Sequence, residues 1–361
     1  MVRIKIGIIG VGNCASGLIQ GVKYYRQNSE IRTGLIHYQI GRYSPVDLEF
    51  TSAFDIGETK VGKPLAEAIY SSPNEVRWVD RVEGCERTVM EAPVFDGVGV
   101  FAEKMIRPIN QTKSVHELRR SIVEEIQRTG TRVLLNYLPV GSQKATEFWA
   151  DVALETGCAF VNCIPVFIAS DTGWNRRFEE KKLPIIGDDI KSQVGSTIVH
   201  RVLTKLCMDR GAVIDRTYQI NVGGNTDFIN MLERNRLESK KISKTEAVQS
   251  QLKDRLEEGK IYIGPSDFIP FLGNRKLAFI RIEGRMFANI PFNMEMRLDV
   301  DDKSTSGGTA IDAVRLAQLA LDRGVGGCLT YASAYLMKHP PLQMSDEAAR
   351  TKLDEWIIAS P

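Results

Sequence analysis

The chain has 361 residues, 43% hydrophobic and 25% charged, a composition that excludes disordered and fibrous classes and allows about two packed cores. Its 47 Lys and Arg balance 45 Asp and Glu, so a net charge of +2 provides no broad basic field for nucleic acid or an anionic membrane, and any anion must be bound locally. Six cysteines (Cys14, Cys85, Cys158, Cys163, Cys207, Cys328) lie scattered without a Cys-x-x-Cys pair, which argues against a disulfide framework or a zinc site and fits a reducing cytoplasm.

The N-terminal MVRIKIGIIGVG carries basic residues before an apolar stretch, but glycines interrupt it, unlike a secretory signal core. No other segment approaches the ~18 apolar residues of a membrane span, so a soluble, unprocessed chain is expected. Ile4 to Ile9 reads as a β-rich strand, Gly10-Val11-Gly12 as a turn, and Asn13 through Tyr25 as a helix. The segment GVGNCASG fits G-x-G-x-x-A. Gly10 permits the tight turn, Gly12 lets backbone approach a pyrophosphate, small Ala15 lets helix pack on strand, and the amides of Asn13 and Cys14 face the phosphates. Dinucleotide binding is the reading; a plain glycine turn is its bland counterpart.

A second strand, Phe50 to Ile56, contains Asp55 near its end, a candidate for the ribose hydroxyls at a spacing longer than the usual ~20 residues. Its charge would repel a 2′-phosphate and favour NAD over NADP, though a strand-end capping role explains it as well. Ser114 and Glu117 have capping-box spacing for a helix that places Leu118, Ile122 and Ile126 on one face and stops at Gly130. Val133 to Tyr137 and Ala159 to Asn162 read as strands around a helix from Ser142 to Glu155. This alternation predicts βαβ units and a parallel sheet.

After the apolar Leu183 to Ile186 come Gly187, Asp188 and Asp189, then KSQVGST before a helix near Ile198. Ser192, Gln193, Gly195, Ser196 and Thr197 there form either an anion nest or an ordinary helix start. Beyond about residue 212, Val213 to Val222, Lys276 to Glu283 and Asn293 to Val300 alternate as longer strands of a sheet with one covered face. Between them the mixed-charge stretch Glu233 to Lys260 reads as a solvated helix face. Within it Ser243 and Glu246 have capping-box spacing, which puts Lys244 in a first helical turn with Lys240 and Lys241 just upstream; a bound phosphate would offset those charges. Lys276 and Lys338 border apolar segments where lysine stems snorkel. Asp299, Asp301 and Asp302 are cation ligands or an acidic turn. A helix from Ala310 to Asp322 ends at Gly324, and another, Leu329 to Lys338, stops before Pro340 and Pro341 and returns to the first domain.

Taken together these blocks, from the glycine turn through GDDIKSQVGST, NVGGNTDF, LESKKISK and LGNRK to YASAYLMKHP, resemble the myo-inositol-1-phosphate synthase family, in its compact actinobacterial form. The resemblance covers most of the chain. It implies a Rossmann-type α/β domain from residues 1–200 and 310–361, with 201–309 inserted as an α+β catalytic and tetramerisation domain. It implies that Lys240, Lys244, Lys276 and Lys338 match the family's active-site lysines, with Asp189 and Asn225 beside them. Asp188, Asp227 and Asp302 fall near the cofactor, and Lys244 with the Ser192 to Thr197 loop on the substrate phosphate. Two turns depart from the larger eukaryotic form: GVGNCAS replaces a GWGGNNG-like turn and KSQVGST a KSGQT loop. Asn274 and Arg275 stand where that form has Asp and Ser.

The activity so implied is cyclisation of glucose 6-phosphate by oxidation at carbon 5, enolisation toward carbon 6, aldol closure onto carbon 1 and reduction. NAD is restored, a monovalent or divalent cation is an expected assistant, and the product feeds inositol and phospholipid biosynthesis. Lys240 is assigned the carbon 5 hydroxyl proton, its pKa lowered by neighbouring cations, and Lys276 and Lys338 the oxyanions. A cytoplasmic homotetramer is expected. The alternatives are an NAD dehydrogenase of the semialdehyde or homoserine type and a non-catalytic NAD- or sugar-phosphate-binding protein.

Overall fold

The computed structural model describes residues 3–359 and contains two sheets. In chain order the elements are β1 (Ile4–Ile9), α1 (Asn13–Gln27), β2 (Leu48–Asp55), α2 (Leu65–Ala68), β3 (Met90–Glu91), α3 (Val115–Thr129), β4 (Val133–Asn136), α4 (Gln143–Thr156), β5 (Ala159–Asn162), α5 (Thr172–Glu180), β6 (Pro184–Ile186) and α6 (Ser196–Asp209). Then come β7 (Val213–Gly223), α7 (Thr226–Asn230), α8 (Glu238–Gln249), β8 (Ile261–Phe268), β9 (Arg275–Arg285), β10 (Pro291–Asp301), α9 (Ser304–Asp322), β11 (Gly327–Cys328), α10 (Thr330–Leu336) and α11 (Asp346–Ile358).

The first sheet has the order β11-β6-β5-β4-β1-β2-β3, with every pairing parallel. Its central strands are short and apolar because both faces are covered. Ile4, Ile6 and Ile8 face a core shared with α1 and α9; Ile9, Leu134 and Phe160 face the opposite core beneath α3 and α4. The chain passes from β1 to β2 on one side, while β4 lies on the other. Strand order therefore reverses between β1 and β4, and the crevice at their carboxyl ends is where such sheets bind ligands.

Local signals explain the elements well. Ser114 and Glu117 make the reciprocal capping box, and Gly130 closes α3 with a left-handed φ of 65°. The second sheet, β10-β9-β7-β8, is antiparallel except for β7 with β8. Its inner face packs under α6 through Ile214, Ile280 and Ile282.

Three expectations need correction. Strand β8 was not anticipated; it contains Gly264 and Pro265, and at a sheet edge a missing donor is tolerated. Helix α9 starts at Ser304 rather than Ala310. Its glycines serve close approach, since a Cβ on Gly308 would come within 2.3 Å of the Gly34 carbonyl oxygen. Finally, α8 runs from Glu238 to Gln249, so Ser243 and Lys244 lie mid-helix and no capping box exists there.

Candidate active site

One pocket spans the carboxyl ends of β1 and β4 and the inner end of the second sheet. At its base Gly10 holds φ +85°, and a Cβ there would come within 2.9 Å of the Tyr137 carbonyl oxygen, so glycine is required on both counts. Gly12 caps α1 with no side-chain hydrogen bond, and nothing lies within 4 Å of where its Cβ would be. The Nδ2 of Asn13 is buried with no partner among the described residues, while its Oδ1 accepts from Glu75 N at 2.7 Å. An uncapped helix start, open space above it and an orphaned donor form a cradle for an anionic, hydrogen-bonding ligand. Cys14 lines the pocket, whereas Ala15 is sealed in the core between helix and sheet.

Asp55 lines the same end of the pocket. Its Oδ2 accepts from Val11 N at 2.7 Å, and its Oδ1 from Ile56 N and Gly57 N at 2.8 and 2.7 Å. It thereby ties the glycine turn to the end of β2. Asp188 is not brought to the pocket. It is fully buried, and its carboxylate accepts from Asn162 Nδ2, Ser170 Oγ and the amides of Ile168, Ala169 and Ser170. Burial pushes it up to about 6 against those donors, and its place is structural.

Lysines converge from separate stretches of chain. Lys240 and Lys244 stand one turn apart on α8, 7% and 4% exposed, because that face turns inward; the expectation of a solvated face is wrong. Lys240 Nζ lies 3.3 Å from Asp227 Oδ2, Lys276 Nζ 3.2 Å from Asp302 Oδ1, and Lys338 Nζ 2.7 Å from Asp189 Oδ1. Lys244 has no ion-pair partner among the described residues. Burial first, then Lys240, Lys276 and Lys338, push its pKa well below the usual lysine range. Burial also lowers Lys338, though Asp189 partly restores it. Burial would raise Asp227 and Asp302, but the ammoniums beside them win, holding Asp227 at about 2 and Asp302 well below the carboxylate range.

Asp189 is a clamp. Its Oδ2 accepts from Ser243 Oγ at 2.7 Å while Oδ1 holds Lys338, so one carboxylate locks the lysine helix to the chain after α10. Asn225 is wholly buried behind the pocket wall; its Oδ1 caps α7 at Asp227 N, and its Nδ2 donates to Asp302 Oδ2 at 3.1 Å.

The loop before α6 divides. Ser192, Gly195, Ser196 and Thr197 line the pocket, but Gln193 turns away and donates to the Gly34 carbonyl at 2.9 Å. Behind this loop, and missed in the sequence, Lys191 is buried against Asp346 at 2.7 Å, and Arg201 reaches the same carboxylate at 2.9 Å. Lys303 was also missed. It lies 2.9 Å from Asp302 Oδ2, in a turn that read only as acidic. The signal available was its position directly after Asp301-Asp302. All six cysteines are free, and among the described residues no group of three or more His, Cys, Asp or Glu could hold a metal ion, nor is any helix long and apolar enough to cross a membrane.

The family model described as myo-inositol-1-phosphate synthase matches residues 195–303. The chain is similar to an inositol-3-phosphate synthase of Mycolicibacterium smegmatis, 49% identical with 98% of each chain covered. It is likewise similar to one of Mycobacterium tuberculosis, 48% identical with 99% of this chain and 96% of that one covered. Among solved structures, a myo-inositol-1-phosphate synthase-related protein from Thermotoga maritima superposes with a TM-score of 0.84 at 24% identity, covering 99% of both chains, and so shares the fold.

Proposed function

The chain belongs to the myo-inositol-1-phosphate synthase family, and from that premise we propose that it converts D-glucose 6-phosphate to 1D-myo-inositol 3-phosphate with no net redox change. The observation that carries this reading is the convergence of Lys240, Lys244, Lys276 and Lys338 on a pocket that begins at the glycine turn. A simple oxidation needs one base. An oxidation, enolisation, ring closure and reduction in one site generate negative charge on several oxygens in turn, and several buried cations suit that sequence.

The cradle at Gly12 and Asn13 fits a dinucleotide pyrophosphate, with Cys14 alongside and Asp55 toward the ribose, where its charge favours NAD. Bound there, NAD would accept a hydride from carbon 5 and return it at the end. Asp227 and Asp302 face the same space.

Lys240 takes the proton of the carbon 5 hydroxyl. Burial lowers both Lys244 and Lys338, and for Lys244 the neighbouring lysines add to it. Lys244, unpaired and pushed down, is the natural partner of the substrate phosphate, with the hydroxyls of Ser192, Ser196 and Thr197. A phosphate dianion beside Lys244 would hold the proton on it. Lys276 and Lys338 stabilise the enolate and alkoxide oxygens, while Asp189 and Asn225 fix the lysines and Asp302 in place.

Residues 1–200 with 310–361 serve as the NAD-binding unit, and 201–309 as the inserted catalytic and oligomerisation unit. The outer face of the second sheet, carrying half-exposed Tyr262 and Phe279, supports a homotetramer; its place in the cytoplasm and in inositol and phospholipid biosynthesis follows from the synthase reading alone. The test is to incubate the purified protein with glucose 6-phosphate and NAD while following inositol phosphate and NADH absorbance. Inositol phosphate without net NADH is expected; net NADH would make the protein a dehydrogenase, and neither product would leave a binding protein.

A further inference from the structure

Lys303 belongs to none of the motifs that point to the synthase, yet it sits at their meeting point. It is 7% exposed, and its Nζ lies 2.9 Å from Asp302 Oδ2 and 4.0 Å from Asp227 Oδ2, in the pocket that Gly12 and Cys14 also line. The turn presenting it is pinned: Asp301 Oδ1 accepts from Lys303 N at 3.2 Å and Ser304 N at 2.8 Å, and Ser306 Oγ donates to the Lys303 carbonyl at 3.4 Å. Burial would lower this ammonium, but Asp302 and Asp227 outweigh it and hold the charge firmly on.

The same two carboxylates also hold Lys240 and Lys276. Three ammoniums, Lys240, Lys276 and Lys303, thus face two carboxylates, Asp227 and Asp302, leaving one positive charge in surplus. A dissociable potassium or magnesium ion needs a shell of several oxygens and a donor set that attracts it. Here the carboxylates that could supply that set are already neutralised, and Asn225 donates to Asp302 Oδ2 as well. The residues present do not fit the assisting cation that the family resemblance leads one to expect.

We propose that the Lys303 ammonium takes the place of that cation. It is a tethered positive charge between the glycine turn and the lysine cluster, positioned beside the bound dinucleotide and the substrate oxygens. Its local concentration is fixed by the chain rather than by the medium, and it carries three donors where a metal ion would carry bound water. Cofactor binding and turnover then need neither potassium, ammonium nor magnesium. The inference rests on the synthase reading for turnover, but its binding arm stands without it.

The test uses the full-length protein stripped with chelator and exchanged into choline chloride at constant ionic strength. NAD affinity is measured by fluorescence titration, and inositol phosphate formation is measured with potassium, ammonium or magnesium added singly. For the wild-type chain, both quantities are expected to change by less than about twofold with any ion. Lys303→Ala opens the site: turnover in choline falls by about tenfold or more, and ammonium restores most of it saturably. Stimulation of the wild type by about fivefold or more with any ion overturns the proposal. So does full activity of Lys303→Ala in choline, or a loss that no ion repairs in a variant with an unchanged melting midpoint. If no inositol phosphate forms under any condition, the synthase reading falls, and NAD affinity alone decides. Ion-independent affinity in the wild type with ion-dependent affinity in Lys303→Ala upholds the proposal, and any other pattern sinks it.

Discussion

The two sheets of this molecule are finished in different ways. The parallel sheet has a core on each face, so β1, β4 and β5 are closed off within the one chain. The four-stranded sheet packs Ile280 and Ile282 inward under α6, while its other face carries Phe279 and Tyr262 among an ion-pair lattice of Arg216, Glu283, Arg281 and Glu295. The first is a self-sufficient scaffold that sets backbone geometry at the glycine turn. The second brings charged side chains to the pocket and keeps a surface in reserve. Lys240, Lys244 and Lys276 come from the second half and Lys338 and Asp189 from the first, and the pocket lies where the two meet.

Four experiments press on that contrast. Lys240→Ala, on the side that supplies the chemistry, should cut inositol phosphate formation by about 10²–10⁴-fold while NAD affinity by fluorescence titration moves less than about twofold. A parallel loss of NAD binding would mean that the halves are not separable. Ile8→Ala, in the central strand of the scaffold and wholly buried, should lower unfolding free energy in urea by about 2–5 kcal/mol.

The third concerns His200, on α6 beneath the second sheet, whose Nε2 meets Thr217 Oγ1 at 2.8 Å. Burial pushes it down to about 4 from an ordinary 6.5. Between those values the unfolded chain binds a proton that the folded chain refuses, so stability falls as pH drops through that window. The full loss, reached near pH 4, is about 3 kcal/mol. In His200→Gln, urea midpoints measured from pH 7 to 4 should lose this part of the slope. The smallest effect is expected for Phe279→Ala on the outer face, less than about 0.5 kcal/mol in unfolding free energy. Sedimentation should nevertheless show a smaller assembly. A large stability loss there, matching Ile8→Ala, would erase the distinction between the sheets.

The same division explains what could be read from the chain. The glycine turn, the α3 capping box and the strands β1 and β5 were legible because each is dictated by neighbours within a few residues. Ser243 and Glu246 misled for that very reason. Their spacing imitates a helix start, while the contact that matters, Ser243 with Asp189, spans 54 residues. Asp188 and Asp189 are adjacent and chemically identical, yet one is consumed by five donors and the other clamps two lysine segments. Only the fold separates them. Lys303 escaped because an ammonium acquires meaning from the carboxylates opposite it, and of those Asp227 is 76 residues away along the chain.

Helix α9 and the short strand β11 carry a further consequence, for how the molecule comes into being. β11 pairs with β6 through Gly327 and Pro184, and α9 packs on α1, so the last part of the chain completes what the first part began. As the protein is synthesised, the inner side of α1 and the edge of β6 stay bare until residues beyond 304 have emerged. The intervening segment has by then already been made, and its sheet lies within residues 213–301. The scaffold that looks primary in the finished molecule is the last to close. Its closure joins the two ends of the chain, a non-local contact of the kind that slows folding and prolongs exposure of bare surface.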